Sequence, residues 1–357
     1  FEAVPYLLFG LVAGAIADRW NRRRLMVVSD VLSAATLGSL PLAKAFGVLT
    51  VGHVLAASFV APTLFVFFDA ANFGAVPVLV GRAKIAEANS AIWAAATIGD
   101  IAAPALAGAL LAVFAPTSLI GTDALSFAAS AYLIRGINRP MSDPDRAERA
   151  GLAGLRSDVA DGVRFLIRQV HVRTMTIVAA GQSIAGGAFV GQMVVWADRS
   201  FGIRAGDVRL GVLYGVWGVG ALASAVLIPS LSRRYGAARL TLIGLPASAA
   251  LAVATALSPN WVAGSVLMAA WSSAYMLVVI TAINYRQQVT PEPLMSRVNT
   301  AGRMLSFGAG FPVGALLGGV VASGSGPVAG MLAGGAVAAI AAVYAWVSPL
   351  RTAPILV

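Results

Sequence analysis

The sequence predicts an all-α, polytopic membrane protein, and three observations carry that reading. Of the 357 residues, 59% are hydrophobic and only 11% are charged, whereas a soluble domain carries about 25% charged residues. The apolar residues gather in stretches that reach the ~20 residues needed to cross hydrocarbon. The arginines cluster between those stretches, as membrane topology requires. The net charge of +10 is therefore a topology signal, and no nucleic-acid partner is expected. With 38 glycines, the chain suits close helix packing in lipid. There are no cysteines, which excludes disulfides and thiolate metal sites. His53 and His171 are expected far apart in different loops, so neither a metal site nor a cofactor is expected.

Eleven spans are expected, at roughly 3–18, 25–45, 51–80, 87–114, 117–135, 172–198, 208–231, 239–258, 260–288, 295–322 and 326–348. The longest must tilt or project beyond the bilayer. If 19–24 is a cytoplasmic loop, 21 of the 25 Lys and Arg residues fall inside. Only Lys44, Arg199, Arg204 and Arg209 fall outside, and the opposite orientation would invert the bias.

This pattern divides the chain into a first half of five spans (1–135), a linker (136–171) and a second half of six spans (172–357). The linker holds Pro140 and Pro144, followed by a segment from Leu152 to Val170. There Leu155, Val159, Val163, Phe165 and Leu166 share a broad helical face, with Arg156, Asp158, Asp161, Arg164 and Arg168 on the others. An amphipathic helix on the cytoplasmic surface is expected, with tethering of the halves as its simplest role. The halves also resemble each other. Arg19, Arg24 and Leu25 recur as Arg234, Arg239 and Leu240, while Asn89, Pro104 and Gly108 are echoed by Asn299, Pro312 and Gly318. Five spans against six leads to the expectation of one further helix before Phe1, and of twelve spans in the parent protein.

The first interhelical loop has a specific pattern. Gly14 is followed by three small or apolar residues, then Asp18-Arg19, then Arg22, Arg23 and Arg24. An acid there can be stabilised by a helix N-terminus, although the arginines alone would already set topology. Asn21 tolerates a left-handed backbone, which keeps a tight turn possible.

Buried carboxylates are the sharpest functional lead, because an ionised acid in hydrocarbon costs ~2.5–3.5 kcal/mol even on insertion scales. Asp69 and Asp100 both lie roughly 16–18 Å into their spans at 1.5 Å per residue. Two acids at matching depth can share a proton or bind a cationic group, or each can be paired internally for packing. Phe65, Asp69, Asn72 and Val76 form one helical stripe; Trp93, Thr97, Asp100 and Pro104 form another. Asp30 and Asp123 lie nearer the span ends and are expected to be structural. Arg303 lies roughly 12 Å into its span and is expected to pair with a buried acid or to snorkel. Gln182, Gln192, Trp217, Tyr275 and Asn284 are polar or aromatic positions that can line a cavity or pack helices. Gly99, Pro104 and Gly108, together with Pro312, can let their helices bend, because proline removes a backbone hydrogen bond.

The loop pattern resembles the signature G-x-x-x-D-R-x-G-R-R of Major Facilitator Superfamily transporters, with Asn21 in place of a glycine. Further pieces resemble the branch of enterobactin-type siderophore exporters and macrolide exporters. They are Pro5–Gly10, Ala75–Val80 leading to Ala88-Asn89-Ser90, Asp123–Phe127, Asp161–Leu166, Thr290-Pro291 and Ser296–Val298. The segment Gly99–Gly108 resembles G-x-x-x-G-P-x-x-x-G, with Ala103 in place of the second glycine.

The resemblance implies two pseudo-repeated helical halves with 11 of 12 transmembrane helices present. In the family the basic loop helps latch the halves at their cytoplasmic ends. One departure is plain: many proton-coupled relatives carry an arginine in the fourth family helix, whereas span 51–80 has no Arg or Lys. Phosphate-loop, zinc-protease and nucleophile-elbow motifs are lacking. The reading is a bacterial, multi-pass plasma-membrane transporter, not an enzyme, and a monomer. It is expected to export an amphipathic small molecule (a drug or siderophore) in exchange for protons by alternating access. Import, lipid or metabolite carriage, and a membrane enzyme or channel are the alternatives.

Overall fold

The computed structural model describes residues 3–111, 116–142, 154–204 and 207–353, with side chains described outside residue 3 and residues 100–116. Each of the eleven apolar stretches falls on helix over its described residues, to within two residues at either end. In the first part these are α1 (Ala3–Arg19), α2 (Arg22–Ala45), α3 (Val51–Val80), α4 (Ile85–Leu111) and α5 (Pro116–Arg135). The linker contributes α6 (Leu155–Arg168), within the segment expected to be amphipathic. Then follow α7 (Val170–Phe201), α8 (Val208–Tyr235), α9 (Ala237–Ala256), α10 (Trp261–Val289), α11 (Met295–Arg303), α12 (Phe311–Ser325) and α13 (Pro327–Val347). Among the described residues, eight helical stretches are long and apolar enough to cross a membrane.

Three local findings differ from the sequence expectation. Asn21 is extended (φ −64°, ψ 112°), not left-handed; it caps α2 by accepting a hydrogen bond from the Arg24 amide at 3.1 Å. The histidines are not in loops. His53 sits in the first turn of α3, where its Nε2 lies 2.8 Å from Ser39 Oγ, and His171 lies in the first turn of α7, edge-on to Tyr285. The span expected at 295–322 is not one regular helix: α11 and α12 are joined by a π-helical turn over Met304–Gly310. Gly308 and Gly310 weaken the ladder there. Pro312 has no N–H to return to the Gly308 carbonyl, so the widened turn has a local cause.

The chain forms two compact units that interleave along the sequence. One comprises Phe1–Arg82, Ala102–Phe165 and Thr290–Met304; the other comprises Ala83–Ile101, Leu166–Val289 and Leu305–Val357. In the first unit α2 packs on α3 and α5, while α1 and α11 pack on each other and on α3. Gly14 makes the α1–α11 approach possible: a Cβ there would stand 2.6 Å from the Arg297 Cα.

In the second unit α7 packs on α10, α12 and α13; α10 also packs on α8 and α9. Its core is aromatic. Phe189 lies 4.2 Å from Trp271 between ring centroids, and Trp217 lies 5.0 Å from Trp271 and 5.5 Å from Tyr275. Such tilted and edge-on pairs add about 0.5–1.5 kcal/mol each beyond area burial.

Candidate functional site

Two side-chain constellations stand out, both within the first unit. The first gathers around the basic loop. Asp18 is fully buried, and its carboxylate faces the start of α11. Oδ1 accepts from the Ser296 amide at 2.9 Å, and Oδ2 accepts from the Arg297 amide at 3.0 Å and from Arg297 Nε at 3.1 Å. The first amides of a helix lack intrahelical partners and carry the positive end of its dipole. Asp18 therefore caps a helix 278 residues away in sequence.

Arg22 is the hub of the same network. Its Nη1 donates to the Gly74 carbonyl at 2.9 Å, to the Met141 carbonyl at 3.3 Å and to Glu292 Oε1 at 3.3 Å; its Nη2 reaches Asp18 Oδ1 at 3.4 Å. Gly74 has to be glycine, since a Cβ would overlap the Arg22 guanidinium and stand 2.5 Å from Ser296 Oγ. Arg19 pairs with Asp158 of α6, and Arg297 Nη1 donates to the Asp158 carbonyl at 2.8 Å. Arg297 also lies flat on α6 at Gly162, where a Cβ would stand 2.7 Å from its Cγ. Arg23 Nη2 donates to the Arg139 carbonyl at 2.6 Å.

The basic loop, the start of the linker, α6 and the start of α11 thus share one buried ionic network. Ions held away from water are costly, and only dense hydrogen bonding of this kind compensates them. Of its members, Asp158, Gly74 and Glu292 gave no sequence signal strong enough to single them out.

The second constellation lies deeper along the helices. Asp69, in the middle of α3, accepts a 2.7 Å hydrogen bond from the Tyr6 hydroxyl of α1. Arg303, the last residue of α11, brings its Nε to 3.7 Å from the same oxygen, Oδ2. The guanidinium also lies 5.8 Å from the centroid of the Tyr6 ring, a cation–π distance. Tyr6 is 3% exposed and Asp69 is 9% exposed. The acid, the base and the phenol therefore close a small polar cluster inside apolar helices.

The remaining expected positions fall as follows. Asn72 is half-buried, three residues beyond Asp69 on α3. Trp93 and Gly99 lie on α4, and Gly99 is exposed. The side chains of Asp100, Pro104 and Gly108 lie outside the described residues, so their expected pairing with Asp69 does too.

Gln182 is fully buried and donates to Ser248 Oγ, which also accepts from Trp271 Nε1 at 3.1 Å. Gln192 is buried beside Gly330. Tyr275 is buried in the aromatic core. Asn284 accepts from Asn89 Nδ2 at 2.7 Å, tying α10 to α4. Pro312 opens α12.

Comparison with known proteins agrees with this architecture. The family described as transmembrane secretion effector matches residues 2–354. The multidrug efflux pump Tap of Mycolicibacterium fortuitum is 30% identical over 331 residues, covering 89% of this chain and 78% of Tap. Macrolide efflux protein A of Streptococcus pyogenes is 24% identical over 225 residues, covering 60% of this chain and 56% of that protein. Among solved structures, the human organic anion transporter MFSD10 aligns with a TM-score of 0.79 over 96% of this chain and 82% of its own, at 15% identity. At that identity the likeness is one of fold.

Fold and relatives together define a membrane transporter of the Major Facilitator type, not an enzyme. Within that class, the chain belongs to the transmembrane secretion effector family.

Proposed function

We propose that the protein exports an amphipathic small molecule, drug-like or siderophore-like, across the plasma membrane in exchange for protons. The observation that carries the reading is the ion pair of Asp69 with Arg303 inside membrane helices. An isolated ionised acid is penalised there, and Arg303 offsets its charge. A proton arriving on Asp69 removes the negative charge and with it the attraction of Arg303 for this carboxylate. The contact between α3 and α11 then weakens. This converts a proton into a movement of helices, which an antiporter needs. The loop network at Asp18, placed on the cytoplasmic side by the positive-inside bias, would close one end of the pathway. Rocking of the halves 1–135 and 172–357 about the tether 136–171 would supply alternating access, with the protein working as a monomer. The names of Tap and macrolide efflux protein A support outward direction and an amphipathic drug-like cargo.

The test uses an efflux-deficient bacterial host and a panel of ethidium, tetracycline, a macrolide and a catecholate siderophore. Cells carrying the protein should expel at least one of these faster than controls, and a protonophore should stop the export. Asp69→Asn should slow gradient-driven export by about tenfold or more, the kinetic equivalent of losing one charge-assisted contact. The amount of membrane-inserted protein should not change. Export by Asp69→Asn with an unaltered response to the protonophore would contradict the reading.

A further inference from the structure

We propose that Tyr6 is the positioning residue of this site: it holds Asp69 Oδ2 in both charge states and directs the arriving proton to Oδ1. The inference rests on the coupling role of Asp69 given above and goes one step further, to the atom and its holder.

The geometry points this way because both contacts on Asp69 among the described residues, the Tyr6 hydroxyl at 2.7 Å and Arg303 Nε at 3.7 Å, fall on Oδ2. Oδ1 is left as the oxygen with room for a proton. The two partners also differ in kind. The phenol can donate both to an ionised carboxylate, where the bond is charge-assisted and stronger, and to the carbonyl-like oxygen of a protonated one. The guanidinium is drawn chiefly by charge. Protonation at Oδ1 therefore leaves the Tyr6 bond in place and releases Arg303. The released guanidinium stays beside the Tyr6 ring, which it already faces at 5.8 Å. In the reverse step the proton returns from Oδ1 to water and Arg303 closes again on Oδ2.

Among the described residues, the charged and hydrogen-bonding groups facing Asp69 come from the helices packed on α3. From α1 the contact is Tyr6, and from α11 it is Arg303. On α2, Arg22 is engaged at the Gly74 carbonyl, and Asp30 takes Ser130 of α5.

The experiment is an infrared titration of the purified protein in lipid nanodiscs, which needs no substrate. The wild type should show a protonated-carboxyl band that rises as pH falls and is absent from Asp69→Asn. In Tyr6→Phe, which keeps the ring and removes only the hydroxyl, the ionised form loses a strong hydrogen bond. The midpoint of the band should then move to higher pH by about one unit. A hydroxyl that serves only packing would lower folded yield on its removal without moving that midpoint.

An Asp69-dependent band with an unmoved midpoint in Tyr6→Phe would overturn the proposal and leave the coupling reading intact. The lack of any Asp69-dependent band would overturn the coupling reading itself. Should Tyr6→Phe fail to fold, the wild-type difference spectrum decides. A tyrosine C–O band that shifts in step with the Asp69 band supports the proposal, and its absence overturns it.

Discussion

Asp18→Asn is expected to destabilise the protein by about 3–5 kcal/mol, the usual cost of removing one partner from a buried ionic set. The amide would keep one acceptor but would turn an NH2 group toward the backbone donors of Ser296 and Arg297 or toward the Arg297 guanidinium. Thermal unfolding in detergent should show a clear fall in melting temperature. Asp161→Asn is the control, because its pair with Arg164 is exposed on both sides and such pairs contribute about 0–1 kcal/mol. The absence of cysteine allows a second readout. Ser296→Cys places a single thiol at a fully buried position on α11. Maleimide should label it slowly in the parent and much faster with Asp18→Asn. Equal melting temperatures and equal labelling would show that the capping contact holds nothing closed.

Gly314→Ala is expected to have the largest effect among the small-residue contacts of the second unit. The added Cβ would stand 2.7 Å from the Ile184 carbonyl carbon and 2.8 Å from its Cα, so α12 would have to move away from α7. Such overpacking costs about 1–3 kcal/mol. Two facing backbones cannot yield as a flexible side chain can. Gly319→Ala on the same helix meets nothing nearer than Gln192 Nε2 at 3.9 Å. It should be neutral or slightly stabilising, since alanine is the better helix former by about 1 kcal/mol. A matched fall in both variants would indicate a loss unrelated to the α7–α12 approach.

Most of the fold was legible in the sequence because lipid imposes strong patterns. Long apolar runs must be helical to satisfy their backbone, and arginines mark the loops. The linker helix could be read from the alternation around Leu155–Arg168. The π turn at Met304–Gly310 was not legible, because an apolar run with glycines reads the same whether its ladder is regular or widened. The site was legible by halves. Asp69 and Arg303 announce themselves, since charges in apolar spans are rare. Tyr6 does not: tyrosine is unremarkable in a membrane helix, and 63 residues separate it from its partner. Its depth was the one usable signal. Tyr6 lies thirteen residues from Arg19 and Asp69 eleven from Val80, so adjacent helices bring them close to one level. Asp18 was flagged by its loop, but its partner amides carry no side-chain signature. A helix N-terminus recruited from the far end of the chain is a purely tertiary fact.

The central claim is that export is driven by protons passing through Asp69. The most direct measurement is proton movement in everted membrane vesicles carrying an acid-inside gradient, followed with a pH-sensitive dye. Adding the exported compound should release protons from vesicles bearing the wild type, in step with uptake of the compound. Asp69→Asn vesicles should show neither signal above that of empty membranes. Uptake without proton release in the wild type, or proton release by Asp69→Asn at the wild-type rate, would contradict the account.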